Sequence, residues 1–310
     1  DNQIVRLETG AKNFTASYVR FMDAPRAAIK CRATDMTNFT MSNCIFDSDI
    51  RRVSIRNTGS GGAIYFEEFY NSTYTWIENF SLTNCYFNGC YAAESGGALG
   101  LYGRIKEITL TNCHFTDTVA TSGAGGAILM GGYTGKLTLS GCTFTRTKAT
   151  NDNGGAMYVL ARVLMNANKT YSRTNEIYIT NCTFESTEAR VGGALSLRSE
   201  TEKIEISGSS FTNTSAKEGG AIALGYTNLT QIPDGNTQPV YMDNTPYATE
   251  RNYYSCFWKV KDTVKNDDGT TSTVYRDEWH TTLGTVSITN TSVTGAKASV
   301  QGGALTLMNY

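Results

Sequence analysis

The sequence predicts an all-β fold, a right-handed parallel β-helix of about eight coils with three short strands per coil. Three observations lead there: the composition, a seven-fold Gly-Gly-Ala repeat, and a second block with the same period. The 310 residues include 44 Thr, 24 Asn, 30 Gly and 31 Phe plus Tyr, which favour strands and tight turns over helices. With 27 Lys+Arg against 28 Asp+Glu, the formal charge is −1. That balance excludes the basic excess of a nucleic-acid binder. No apolar run approaches the roughly 18 residues of a membrane span, and a chain opening at Asp1 reads as processed or as a segment of a longer one.

Gly-Gly-Ala followed by apolar, any, apolar occurs at Gly61–Phe66, Gly96–Leu101, Gly125–Met130, Gly154–Val159, Gly192–Leu197, Gly219–Leu224 and Gly302–Leu307, with a degenerate copy at Arg26–Cys31. Upstream of each lies apolar-x-apolar-x-Asn-Cys-x-Phe, ending at Phe46, Phe87, Phe115, Phe144, Phe184 and Phe211, with Val293 as a variant. Pairs such as Ile108/Leu110 and Leu137/Leu139 alternate with period two, the signature of strands. Where no insertion intervenes the blocks recur every 27 to 29 residues. That is too short for a propeller blade, and the leucine frame of a leucine-rich repeat is missing. The crossover preference of parallel strands sets the right hand.

The corners follow from parity. Ile177 and Ile179 would place Asn181 inward, yet Cys182 and Phe184 have the opposite parity, so the chain turns at the Asn. Asn tolerates left-handed backbone, Gly141 and Gly208 substitute for it, and Asn43, Asn84, Asn112, Asn181 and Asn290 are expected to stack as an amide ladder. Gly-Gly makes the second corner. The whole of 1–310 reads as one β-helical domain, with Glu67–Trp76, Leu160–Thr174 and Asn228–Thr282 longer than a coil needs. In the last of these, Phe257–Val264 and Thr271–Trp279 flank Asp267-Asp268-Gly269, a hairpin signal, and Trp258, Tyr275 and Trp279 make this 228–282 excursion a candidate contact surface.

These alternating Gly-Gly-Ala and Phe blocks resemble the repeats of the polymorphic outer membrane proteins, whose blocks read Gly-Gly-Ala-(Ile/Leu/Val) and Phe-x-x-Asn. The resemblance covers nearly the whole chain outside Asn228–Thr282 and implies a secreted, surface-exposed β-helix. Here Thr118, Thr147, Thr187 and Thr214 stand where that family has the Asn, and no membrane barrel follows the repeats. Repeats of this kind also look like those of extracellular filament and surface-coat proteins.

Cys44, Cys85, Cys113, Cys142 and Cys182 share one repeat position and should form a buried thiol ladder, since in-register side chains point the same way and keep Cβ atoms too far apart for disulfides. Any true bridge falls to Cys31, Cys90 or Cys256. Of nine Asn-x-Ser/Thr sequons, Asn71, Asn168, Asn213 and Asn228 lie at loops or corners and lead the glycosylation candidates. Asn13, Asn38 and Asn79 are also candidates, although coil neighbours about 4.8 Å apart leave little room for three glycans. No carboxylate cluster for acid–base work assembles on one wall, His114 and His280 are isolated, and Asn151-Asp152-Asn153-Gly154 reads as a corner rather than a calcium loop. No catalytic residue, metal site or cofactor is expected.

The strands Val5-Arg6-Leu7 and Leu305-Thr306-Leu307 fall in the same phase, so a whole number of coils is expected, and neither end carries a polar cap. The expectation is a non-enzymatic extracellular structural glycoprotein whose coils stack head to tail, on copies of itself or on adjoining repeat domains, through Val5, Leu7, Leu305 and Leu307. The alternatives are a cell-surface adhesin acting through the 228–282 excursion and, third, a polysaccharide-active enzyme.

Overall fold

The computed structural model describes residues 3–32, 36–48, 59–67, 77–132, 134–159, 164–165, 171–172, 175–197, 201–224, 257–265, 269–279 and 284–307. Within them the inward/outward alternation of short apolar strands produces long parallel walls rather than a barrel or sandwich. The first wall has nine strands, from Val5–Leu7 and Ile29–Cys31 through Ile64–Phe66, Leu99–Leu101, Ile128–Met130, Met157–Val159, Leu195–Leu197 and Ile222–Leu224 to Leu305–Leu307. The second has eight, running from Asn13–Ser17 to Thr285–Thr289, and the third has eight, running from Arg20–Met22 to Ser292–Thr294. A fourth, discontinuous strip lies between the third wall and the glycine corner: Tyr91–Ala92, Val119–Ala120 and Lys148–Ala149, then Ser215–Glu218 with Lys297–Gln301.

Register is the organising feature. Ile108 pairs with Phe80 on one side and Leu137 on the other, and Leu110 pairs with Leu82 and Leu139. Each inward position is therefore a column of like side chains along the axis. Phe21, Phe46, Phe87, Phe115, Phe144, Phe184 and Phe211 form one such column, with successive ring centroids 4.6–4.9 Å apart and planes within 8° of parallel. A shorter column, Phe14, Phe39 and Phe80, is met edge-on by Phe66. Outside, ion pairs link neighbouring coils: Lys106 with Glu78 (2.7 Å), Arg146 with Asp117 (2.7 Å) and Lys148 with Glu188 (2.8 Å). Being exposed, they add little stability each, but they reward the same register.

The chain turns as expected at the Asn. Asn43, Asn84, Asn112, Asn181 and Asn290 all have φ between 48 and 54°, and Gly141 and Gly208, at 63 and 57°, are left-handed as well. A further left-handed corner was not foreseen. It falls two residues after six of the seven column Phe, at Asp23, Gly89, Asp117, Arg146, Ser186 and Asn213, Phe46 being the exception. The first glycine of each Gly-Gly pair makes the remaining corner, from Gly61 (φ 68°) to Gly302 (φ 66°).

One expectation is refined and one corrected. Among the described residues, nine strands in one wall against eight in the other two make eight full turns, as expected, and one further strand. The amide ladder at the Asn corner is also interrupted. Asn84 donates to Asn43 (3.3 Å), but Gly141 and Gly208 break the row, and the space a Cβ would take there is filled by the Asn112 and Asn181 amide oxygens.

The long excursion sits between adjacent coils, because Ile204 pairs directly with Val286 and Ile222 with Leu305. Its hairpin is present: Phe257–Lys265 runs antiparallel to Thr271–Trp279, with Gly269 at φ 81°. Of the Leu160–Thr174 excursion, Leu164–Met165 pairs antiparallel with Tyr171–Ser172. Residues 68–76 of the first excursion lie outside the described residues.

Truncating Phe144, in the middle of its column, is expected to cost about 3–5 kcal/mol. Denaturant unfolding of Phe144→Ala measures it. Phe144→Leu, which keeps an apolar side chain in the column, should lose less than half as much.

Candidate functional site

Function in a solenoid resides in its columns, its excursions or its ends, and each was a candidate. The cysteine column is built by the Asn corner. Beyond the left-handed residue the next side chain points inward, and each thiol donates back across the corner to the carbonyl two residues earlier. Cys44 bonds Ser42 O (3.3 Å), Cys85 Thr83 O (3.4 Å), Cys113 Thr111 O (3.5 Å), Cys142 Ser140 O (3.6 Å) and Cys182 Thr180 O (3.4 Å). Ser209 continues the column with a bond to Ser207 O at 3.0 Å, and Thr291 bonds Thr289 O at 2.9 Å. The position therefore calls for a small buried donor, not for sulfur chemistry. All seven described cysteines, Cys31 and Cys90 among them, are buried. Hydrogen bonding to Cys142, together with burial, raises the Cys113 and Cys182 thiols, and burial raises Cys44 and Cys90. Cys256 lies outside the described residues.

A second inner column carries the Thr residues that stand three places after Phe. Thr118, Thr147, Thr187 and Thr214 are fully buried, and none of their hydroxyl oxygens has a hydrogen-bond partner. Each leaves a polar group desolvated inside an apolar core, a local conflict four coils deep.

Of the sequons, Asn13, Asn38 and Asn79 align on the outside of the second wall and hydrogen-bond in sequence, Asn38 Nδ2 to Asn13 Oδ1 (2.9 Å) and Asn79 Nδ2 to Asn38 Oδ1 (3.1 Å). The continuous amide ladder is thus here. Asn213 occupies an exposed corner at φ 53°. Asn71, Asn168 and Asn228 lie outside the described residues.

Acid–base candidates stay dispersed. Glu78 pairs with Lys106 and Glu205 with Lys203 (2.8 Å), while Glu176 accepts from the Tyr178 hydroxyl (3.0 Å). His114 is a rung of its wall: its ring stacks on Tyr86 (4.6 Å between centroids) and Nδ1 lies 2.8 Å from Thr143 Oγ1. His280 lies outside the described residues, among which no group of three or more His, Cys, Asp or Glu is placed to hold a metal ion. Asn153-Gly154 forms a coil corner, with Gly125 N donating to Asn153 O (2.9 Å). In the hairpin, Trp279 is directly opposite Phe257 and Tyr275 opposite Lys261, whereas Trp258 is opposite Glu278, at an alternate position.

What distinguishes the ends is exposure. Leu305 and Leu307 are 40% and 60% exposed, while Ile222 and Leu224, their partners one coil below, are at most 2% exposed. Val293 and Ile288 are likewise exposed above the fully buried Phe211 and Ile206. At the other end Val5 and Leu7 are half-buried, and Ile4, Val19 and Met22 are exposed.

Cys142→Ser is expected to leave stability nearly unchanged, as Ser209 shows the hydroxyl fits, whereas Cys142→Ala should cost about 0.5–1.5 kcal/mol through the lost hydrogen bond, Ser140 O keeping the Asn112 N–H (2.8 Å). Thr147→Val should raise stability by roughly 1 kcal/mol, since the hydroxyl it removes has no partner. Equilibrium unfolding of the three variants checks both. A native alkylation pulse followed by peptide mass spectrometry should find Cys44, Cys85, Cys113, Cys142 and Cys182 unlabelled until denaturant is added.

No family model, curated protein or solved structure matches the chain. The resemblance to the polymorphic outer membrane proteins accordingly rests on the Gly-Gly-Ala and Phe blocks themselves.

Proposed function

We propose that the chain is a non-enzymatic extracellular structural glycoprotein, a β-helical rod whose outermost coils join head to tail with those of another copy. The observation that carries this reading is the contrast between the outermost described coils and every coil between them. In the interior each strand of the three long walls is paired on both edges, and its inward side chains are covered from above and below. At the outermost coils the same side chains, Leu305, Leu307, Val293 and Ile288, meet solvent, and strand edges stand open. An open edge bearing apolar residues is a template for another strand. Because the two ends are different surfaces, the contact is heterologous and propagates instead of closing. The sequons and the buried thiol column are compatible with a secreted rod. Adhesion through the 228–282 excursion is the second reading, favoured by a hairpin of two nine-residue strands set between adjacent coils.

Negative-stain microscopy of the native protein over a concentration series tests the proposal. Unbranched fibres that lengthen with concentration are expected. Single short rods at every concentration would contradict it and shift the function to the hairpin.

A further inference from the structure

We propose that copies join by strand exchange: the Leu305–Leu307 strand of one copy takes the place of the Val5–Leu7 strand in the next. This rests on the head-to-tail reading above and names how the two ends fit.

Under that reading, the count of strands among the described residues bears on how the ends fit. Both end strands belong to the nine-stranded wall, and the other two walls have eight. If the next copy's Val5–Leu7 strand simply lay on Leu305–Leu307, its Asn13–Ser17 strand would sit two levels above Thr285–Thr289. One level of the second and third walls would then be empty, with strand edges facing a gap of nearly 10 Å rather than 4.8 Å. If instead the second and third walls are made continuous, Leu305–Leu307 and the partner copy's first strand compete for one level. Exchange resolves the competition, leaving all three walls unbroken.

The incoming strand fits the same site. Both strands read apolar-x-apolar, so either fills the inward positions below Ile29 and Cys31. Their middle residues differ: Arg6 lies directly opposite Lys30, but Arg6 is ion-paired with Glu8 and Lys30 with Glu67 (3.2 Å), so Thr306 in its place would give up a charge and not relieve a repulsion. Among the described residues the Val5–Leu7 strand is paired on one edge, with its apolar side chains half-buried, so its displacement exposes little.

The glycine column shows that the last coil is shaped to be covered. The second glycine of each pair donates its N–H to the first glycine of the coil above, as Gly97 does to Gly125 (3.1 Å) and Gly220 to Gly302 (3.1 Å). A Cβ on Gly62, Gly97, Gly126, Gly155, Gly193 or Gly220 would run into the carbonyl oxygen of the second glycine above it. Nothing lies within 4 Å of a Cβ on Gly303, and its φ is not in the left-handed region. Among the described residues, then, nothing requires Gly303 to be glycine. Under a further coil it has the same need as the other six. In the exchanged contact that coil is the partner copy's Ala27-Ala28 corner, which precedes Ile29.

Helical reconstruction of fibres of the full chain reads the arrangement directly. Exchange gives eight levels per copy, a rise of about 38 Å, whereas simple abutment gives nine levels, about 43 Å. Gly303→Val, with open space for its side chain, should fold with an unchanged melting temperature yet slow fibre growth at least tenfold. Deleting residues 3–8 should speed growth severalfold, as no strand need be displaced. A 43 Å rise, or undiminished growth of Gly303→Val, would overturn the exchange while leaving head-to-tail stacking in place. An absence of fibres from the unaltered chain would overturn both.

Discussion

Everything in this molecule depends on like stacking upon like. A coil of under 30 residues with three short strands encloses too small an apolar cross-section to be stable alone, so each face of each coil must be covered by the next. Repeating the same residue at the same place in every turn makes that cover complementary without further design. The seven-ring Phe column is the clearest case, with nearly parallel rings under 5 Å apart from Phe21 to Phe211. Such aromatic contacts add about 0.5–1.5 kcal/mol each beyond the area they bury. They also oppose slippage, because a shift of one residue would turn every inward ring outward.

The corners serve that column. Three left-handed residues per coil set the angles between walls, and the hydrogen bonds of the turns keep the corner backbone from being stranded. The thiols belong to this system. By bonding the carbonyl two residues back, which also accepts a backbone N–H from the neighbouring coil (Asn84 N to Thr111 O, 2.9 Å), Cys113 and its equivalents add a second bond at the corner while filling the core beside the Phe column. The Thr column beside it shows the limit of repetition: a hydroxyl that finds no partner in one coil finds none in the next three either.

Much of this was legible because the repeat is short and strong. Gly-Gly-Ala and Asn-Cys-x-Phe mark two corners and two inward positions per coil, enough to define the strands. The corner after Phe was not legible, because Asp117, Arg146 and Ser186 share a backbone conformation but no side-chain chemistry. Ser209 and Thr291, standing at the cysteine position, carried the signal that the position wants a donor. The amide ladder was assigned to the wrong Asn set because Gly141 and Gly208 were read as equivalents of Asn, which they are for the backbone and not for a side-chain chain of hydrogen bonds. The surplus strand came from the step between phase and count: two ends in one phase enclose a whole number of turns and one strand more. The 228–282 excursion, outside the repeat, offered only its hairpin.

The claim most in need of a direct check is the register itself. Phenylalanine-selective labelling and nuclear Overhauser spectroscopy can read it in solution, because ring-to-ring contacts depend on which residues share a column. The expected result is an unbroken series of contacts from Phe87 to Phe115, to Phe144 and to Phe184. Contacts of the Phe115 ring with the Thr143 or Thr145 side chains in place of Phe144 would put the register out by one and contradict the stack on which the structure stands.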